Sequence, residues 1–248
     1  MKKLNTLLCF VYLFPALYFF HCFGQEDINQ ASQMLVVLTP SWDTHQGFLN
    51  LYERDASNRW NSIGDPIPVV VGRKGLGWGI GKHQLTDLSG PVKAEGDGKA
   101  PAGIFSLGTA FGFASPKEIF PPLKMDYMPL NKDIEAVDDV ASNYYNCIVD
   151  NKTIQNKDWK SSEKMAEQPL YKLGFAVNHN FPNPEKGAGS AIFFHIWEGA
   201  DVGTSGCTAM NEAHLVKVLS WLDKSKNPVL IQLTMPMYQK LKMDWQLP

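Results

Sequence analysis

Short runs of apolar and β-branched residues alternate with turn-forming residues along the first part of the chain. The runs cover residues 36–38, 48–52 and 67–71, and Asp, Gly and Asn residues separate them. Runs of this length and spacing are typical of short strands joined by turns. The pattern therefore predicts a mainly β fold that begins as a sandwich or a barrel.

A glycine-rich stretch follows these strands. Residues 72–103 contain few large apolar side chains other than Trp78 and Leu85. Such a composition predicts a long surface loop, and loops of this length are often functional. We therefore expect the stretch to border a cleft.

The middle of the chain changes character again. Residues 116–172 are charged and contain turn-forming pairs of proline and of aspartate, and residues 159–167 have a helical pattern. We interpret this stretch as a large loop and helical insertion that covers the β core.

Apolar patterns return in the last third of the chain. Residues 175–178, 191–197 and 228–233 have strand character. Apolar residues between 215 and 222 recur at helical spacing, and Asn211 is suited to cap the start of that helix. The sequence thus predicts a mainly β domain with a few helices.

The N-terminus carries a pattern typical of export. Lys2 and Lys3 precede an apolar run over residues 7–20, and small residues follow near Gly24. This order predicts a secretory signal peptide over residues 1–24, which leaves residues 25–248 as the mature domain. A membrane anchor is the alternative, although the run is short of the roughly 20 residues that a spanning helix needs. Lipidation at Cys22 is a second alternative.

Net charge and cysteine content narrow the range of possible partners and of possible chemistry. The signal peptide removes two of the 23 basic residues and none of the 25 acidic ones, which leaves a net charge of minus 4. An acidic chain does not favour a nucleic-acid partner. Two of the four cysteines remain, Cys147 and Cys207. They differ in their surroundings, so we expect two free thiols, although an exported protein permits a disulfide.

Cys207 and His195 are the candidates for chemistry. His195 ends a bulky apolar strand, and Cys207 follows twelve positions later, after Gly203-Thr204-Ser205-Gly206 and before the predicted helix. A helix N-terminus and a nearby imidazole both favour a reactive thiol, and the small residues allow backbone N–H groups of Ser205, Gly206 or Cys207 to bind an oxyanion. The alternative is that Cys207 is a buried cysteine at a tight turn and that His195 is a structural histidine of the core, which is the usual case for an arbitrary pair.

The same residues resemble a known family. Residues 187–197 (Gly-Ala-Gly-Ser-Ala-Ile-Phe-Phe-His-Ile-Trp) and 204–210 (Thr-Ser-Gly-Cys-Thr-Ala-Met) are similar to the active-site segments of L,D-transpeptidase catalytic domains of the YkuD type. Residues 96–105 resemble the upstream glycine-proline motif of that family. With the closing strand, the resemblance spans about residues 34–235.

The resemblance implies an exported cysteine enzyme that acts on peptidoglycan stem peptides. It implies that Cys207 is the nucleophile, that His195 is its base, and that the Ile196 carbonyl orients the imidazole. A tetrapeptide donor would acylate the cysteine, lose D-alanine and pass the acyl group to an amine. Two positions depart from the family pattern, since Ser205 replaces a histidine and Ala209 replaces an arginine or asparagine.

Four further residues are candidate substrate contacts. His179 precedes the glycine-rich approach to His195, Trp197 is suited to form a cleft wall, and Lys99 and Arg73 are suited to bind a stem-peptide carboxylate. Each of the charged loop residues is alternatively only solvated. The histidines lack the spacing of a metal site, so we expect neither a metal nor a cofactor.

Three other functions stay open at this point. Water in place of the amine would make the protein an L,D-carboxypeptidase. The altered turn at Ser205 and Ala209 allows a wall-binding module without turnover. A papain-like protease is disfavoured because its cysteine would precede its histidine in the chain. Export and a peptidoglycan substrate together predict a secreted or periplasmic protein, with no stable membrane span after signal cleavage.

Overall fold

A computed structural model describes residues 28–84, 89–119 and 122–248. The strands are β1 Gln33–Thr39, β2 Gln46–Arg54, β3 Trp60–Val70, β4 Leu76–Trp78, β5 Ala100–Gly112, β6 Tyr127–Pro129, β7 Ile134–Val137, β8 Ile148–Asp150, β9 Ser162–Lys164, β10 Leu173–Val177, β11 Phe193–Ile196, β12 Thr208–Met210 and β13 Val229–Thr234. Two α-helices follow in the last third of the chain, α1 Glu212–Trp221 and α2 Met235–Leu241, and 3₁₀ turns cover Met165–Glu167, Pro169–Lys172 and Lys224–Lys226. The predicted signal peptide lies outside the described residues.

The main sheet closes on itself. Its strands follow the order β10-β11-β12-β3-β2-β1-β13-β5, and β10 also pairs with β5. This last pairing joins the two ends of the path, so eight strands form a barrel, with β4 and β6 attached along β5. The protein is therefore mainly β, and the strands predicted from the apolar runs are confirmed in β1, β2, β3, β10, β11 and β13.

The helices cover two parts of the barrel. Helix α1 packs on β10 and β11, and α2 packs on β13 and β1. The side chain of Asn211 accepts a hydrogen bond from the Ala213 N–H, which confirms the predicted cap of α1. In the part of the chain that the structure describes, no helix is long and apolar enough to cross a membrane.

The glycine-rich stretch is a loop only in part: it borders the cavity described below, as expected, but its two ends are built into the sheet. β4 pairs in parallel with the start of β5, and Trp78 is fully buried between them and the core. A Cβ added at Gly72 would lie 2.5 Å from the Gly98 carbonyl oxygen, and one at Gly75, where φ is +78°, would lie 2.0 Å from the Trp42 oxygen. The glycines are there because backbone packs directly against backbone.

The predicted helix over residues 159–167 is also wrong. This segment holds β9 and a 3₁₀ turn, and β7, β8 and β9 form a separate three-stranded sheet. Trp159 and Met165 are both buried but belong to different apolar clusters, so the chain between them is extended rather than helical. Within residues 116–172, this sheet lies close enough to the barrel for Met165 to join the cluster that contains Cys207.

Candidate active site

Two adjacent parallel strands bring His195 and Cys207 together. In the pairing of β11 with β12, His195 lies opposite Ala209, and Cys207 is two residues before Ala209. Because side chains alternate along a strand, Cys207 is placed on the same face as His195. Both residues line one open cavity of about 670 Å³.

The thiol of Cys207 is buried against the strand that carries His195. Only 8% of the residue is exposed, and its Sγ accepts a hydrogen bond from the Phe193 N–H at 3.3 Å. Burial, together with the charge of Glu163, raises the pKa of Cys207 to about 12. In the free protein at neutral pH, the sulfur is therefore a thiol rather than a thiolate.

The predicted position of Cys207 at a helix N-terminus is wrong. β12 follows Cys207 directly, and α1 begins only at Glu212. The positive end of the helix dipole acts within the first turn, so it does not reach the sulfur to lower its pKa. Activation of the thiol must come from a neighbouring base.

His195 is arranged as such a base. Its Nδ1 lies 2.7 Å from the Ile196 carbonyl oxygen, which can only accept, so Nδ1 carries the proton and Nε2 is left as an acceptor. Burial lowers the pKa of His195, whereas the hydrogen bond to Ile196 acts in the opposite direction. The imidazole is accordingly neutral at neutral pH and able to take a proton.

The pH dependence of thiol alkylation follows from these two pKa shifts. In a Cys147→Ala background, we expect the iodoacetamide rate at Cys207 to rise about tenfold per pH unit from pH 6 to pH 9, since the thiolate fraction grows with pH. Rates from intact-mass time courses would measure it. A plateau that begins below pH 7 would contradict the neutral pair and indicate a preformed thiolate–imidazolium pair.

The turn before Cys207 is closed by the side chain of Thr204. Its Oγ1 accepts a hydrogen bond from the Gly206 N–H at 3.1 Å and donates one to the Cys207 carbonyl at 2.6 Å. Arg73 packs beside the same turn, where its backbone N–H donates to the Thr204 carbonyl and its guanidinium donates to Ser205 Oγ at 3.1 Å. The Gly206 N–H is thus already bonded within the turn.

Thr204→Val tests whether this turn positions the nucleophile. Valine keeps the shape but removes both side-chain hydrogen bonds, so we expect kcat/KM for turnover at Cys207 to fall by about tenfold or more. Thr204→Ser keeps the hydroxyl and serves as the matched control. Full activity in the valine variant would show that the turn holds its shape without the threonine hydroxyl.

Sequence reasoning missed two residues of the cavity lining, Tyr171 and Glu163. Tyr171 lies in the 3₁₀ turn Pro169–Lys172, belongs to the same buried cluster as Cys207 and packs its ring edge-on to His195, with centroids 5.2 Å apart. The Tyr171 hydroxyl donates to Glu163 Oε2 at 2.7 Å. Both residues come from the segment interpreted as an insertion, and no motif in the sequence marks them.

Two of the four predicted substrate contacts line the cavity, and two do not. Arg73 and Trp197 line the cavity with Cys207 and His195. Lys99 is turned away from it, because its Nζ bonds to the Lys74 carbonyl at 2.8 Å and lies 3.4 Å from Asp43. Lys99 is therefore not among the cavity residues.

His179 is also outside the cavity, as a buried structural residue. Its Nδ1 accepts from the Ile80 N–H at 3.2 Å, and its Nε2 lies 3.0 Å from the Ala188 carbonyl. Burial lowers its pKa to about 4, so the ring stays neutral. With both ring nitrogens bonded to backbone, His179 has no nitrogen left to bind a substrate, contrary to the expectation from sequence.

Cys147 and Cys207 are both free in the structure, which agrees with the expectation of two free thiols and not with a disulfide. Over residues 28–84, 89–119 and 122–248, no group of three or more His, Cys, Asp or Glu side chains is arranged to hold a metal ion.

Comparison with known proteins identifies the family. The family model for the L,D-transpeptidase catalytic domain, YkuD, matches residues 42–231, which is most of the chain. No curated protein matches the sequence. The matched range includes the barrel strands β3, β5 and β10 to β12 as well as His195 and Cys207. The chain therefore belongs to the YkuD family of L,D-transpeptidase catalytic domains, whose catalysis is directed at peptidoglycan.

Proposed function

We propose that this protein is an exported L,D-transpeptidase in which Cys207 forms an acyl-thioester with a peptidoglycan tetrapeptide and releases D-alanine. The observation that carries the proposal is the placement of Cys207 and His195 on one face of two paired strands, in one cavity, with Nδ1 of His195 held by Ile196. This is the arrangement of a nucleophile and an oriented base.

The first half of the reaction is acylation. As Cys207 Sγ attacks the carbonyl carbon of the L-centre, its proton passes to His195 Nε2, so the thiolate need exist only during attack. The imidazolium then gives this proton to the nitrogen of the departing D-alanine. The high pKa of the buried thiol and the neutral imidazole fit this order of events.

The oxyanion formed in this step needs hydrogen-bond donors. We assign this role to the turn that carries Ser205, whose Oγ accepts from Arg73 and so keeps its own proton free to donate. Arg73 adds a positive charge at the same rim of the cavity, where it also suits the carboxylate of the departing residue. Trp197 forms part of the cavity lining around the stem peptide.

The second half transfers the acyl group to an amine of another stem peptide. If water reaches the thioester instead, the same site acts as an L,D-carboxypeptidase. A signal peptide over residues 1–24 would place either activity outside the cytoplasm, where peptidoglycan lies. We accordingly propose a secreted or periplasmic location.

Product analysis tests the proposal. The mature domain and its Cys207→Ala variant are incubated with disaccharide-tetrapeptides, and the products are separated and weighed by mass spectrometry. Loss of D-alanine with cross-linked dimers, absent in the variant, supports transpeptidation, whereas loss without dimers indicates a carboxypeptidase. No Cys207-dependent product from any stem peptide would overturn the enzyme and favour a wall-binding module.

A further inference from the structure

The cavity around Cys207 is lined by charged residues of both signs. Arg73 and Lys93 are basic, and Lys93 is buried and paired with Asp97 at 2.7 Å, whereas Glu95 and Glu198 are acidic. Glu163 and Asp138 lie among the lining residues contributed by the 134–172 segment. Charges of both signs act on Cys207, because Glu163 raises the pKa of its thiol and Lys93 lowers it.

The carboxylate of Glu163 is held beside the thiol without a cation of its own. Tyr171 connects Glu163 to the catalytic pair, since its hydroxyl donates to Glu163 at 2.7 Å while its ring packs on His195 and lies in one buried cluster with Cys207. Among the residues that the structure describes, no lysine, arginine or histidine forms an ion pair with Glu163. A partly buried carboxylate that faces a cavity and lacks a cation is suited to bind one from a ligand.

We propose that Glu163, positioned by Tyr171, binds the ammonium group of the acceptor stem peptide and takes a proton from it before it attacks the Cys207 thioester. This inference rests on the proposed transpeptidase function. It assigns to the 134–172 segment the choice of an amine rather than water as acceptor.

The proton balance of the transfer requires such a group. The acceptor enters as an ammonium with three N–H protons, and the amide nitrogen that it becomes keeps only one. One proton passes to the Glu163 carboxylate, and this frees the lone pair that forms the new C–N bond. The second passes to His195 Nε2 as the C–S bond breaks, and from there to the departing sulfur, which restores the Cys207 thiol. Glu163 later releases its proton to water.

The neighbours of Glu163 support this role. The charged and titratable groups that act on it are Asp138, Tyr171 and Cys207, and Lys93 is another residue of the cavity lining. Burial and the charge of Asp138 raise the pKa of Glu163, whereas the Tyr171 hydrogen bond acts the other way. A carboxylate with a raised pKa is a stronger base than an exposed one.

The Glu163→Gln variant tests the inference, with Glu167→Gln as the matched control. Glu167 is an exposed residue four positions later, and it forms a long surface ion pair with Lys164. Both variants are given a tetrapeptide donor with either a stem-peptide amine or hydroxylamine as acceptor, and thioester formation is followed by intact mass. Hydroxylamine is uncharged at neutral pH, so it needs no proton removed before attack.

In Glu163→Gln we expect the amine-transfer product to fall by about 100-fold or more, as removal of a general base does. The Cys207 adduct should still form, hydroxylamine should still remove it, and amine transfer should recover as the pH approaches the pKa of the amine, about 10. Glu167→Gln should match the wild type.

Two results would overturn the inference while the transpeptidase function stands. One is unchanged amine transfer in Glu163→Gln. The other is equal loss of the Cys207 adduct and of the hydroxylamine reaction, which would show that Glu163 acts on the donor or on the fold. A wild-type protein that forms no adduct at all would instead overturn the proposed function, and the inference with it.

Discussion

Replacing Cys207 with alanine is expected to reduce release of D-alanine from a tetrapeptide by at least about 10⁴-fold, because the thioester can no longer form. The side chain is small and its sulfur makes only weak hydrogen bonds, to Phe193 N–H and Ala191 O. The fold should therefore survive the change, and the unfolding temperature should stay close to that of the wild type. Steady-state release of D-alanine measures the effect.

Cys147→Ala is the control for this loss. Cys147 is a free thiol that lies just before β8 and does not line the cavity of Cys207. Burial raises the pKa of its thiol, which does not favour a reactive nucleophile. Activity lost in Cys147→Ala and retained in Cys207→Ala would reverse the assignment of the nucleophile.

The second large effect is expected from His195→Asn. The asparagine amide can still donate to the Ile196 carbonyl, but it offers no nitrogen to accept the thiol proton. We expect kcat/KM to fall by about 10²- to 10⁴-fold, as for loss of a general base. In the wild type, kcat/KM should rise with pH as His195 loses its proton, with a midpoint below 6.5, since burial lowers the pKa of this group. That acidic limb should vanish in the variant.

His45→Asn provides the matched control. His45 lies at the start of the barrel, where its Nε2 is 3.2 Å from the Asp201 carbonyl, and it is not among the cavity residues. Its replacement should leave both the rate and the acidic limb unchanged. A His195→Asn variant with wild-type kcat/KM and an unaltered pH profile would show that another group takes the thiol proton.

The strands could be predicted from the sequence because their signal is local. The apolar runs at 36–38 and 48–52 fall within β1 and β2, and the run at 228–233 predicts β13. The closure of the barrel could not be predicted in the same way. It depends on the pairing of β10 with β5, which are far apart in the chain.

The errors have a common physical cause in tertiary packing. Residues 72–103 have the composition of a loop, yet positions 72 and 75 require glycine because neighbouring backbone leaves no room for a Cβ. Cys207 has the surroundings of a helix N-terminus in sequence, but a three-residue strand, β12, separates it from α1. Neither arrangement has a signature at the level of composition or periodicity.

Part of the candidate site could be predicted from the sequence, because some of its residues lie in local motifs. His195, Cys207 and Ile196 lie in short segments with a recognisable motif, so sequence alone brought them together. Tyr171 and Glu163 reach the site from a segment whose sheet forms only through the pairing of β7 with β8 and β9. Nothing local marks them, and only the folded cavity places them beside the thiol.

The covalent state of Cys207 during turnover tests the central claim most directly. The mature protein is mixed with a disaccharide-tetrapeptide in the absence of an amine, quenched in acid at short times, and analysed by intact mass and peptide mapping. Our account predicts a mass increase equal to the donor less D-alanine, on the peptide that contains Cys207. Substrate consumption with no adduct at any quench time, or an adduct on Cys147 instead, would contradict it.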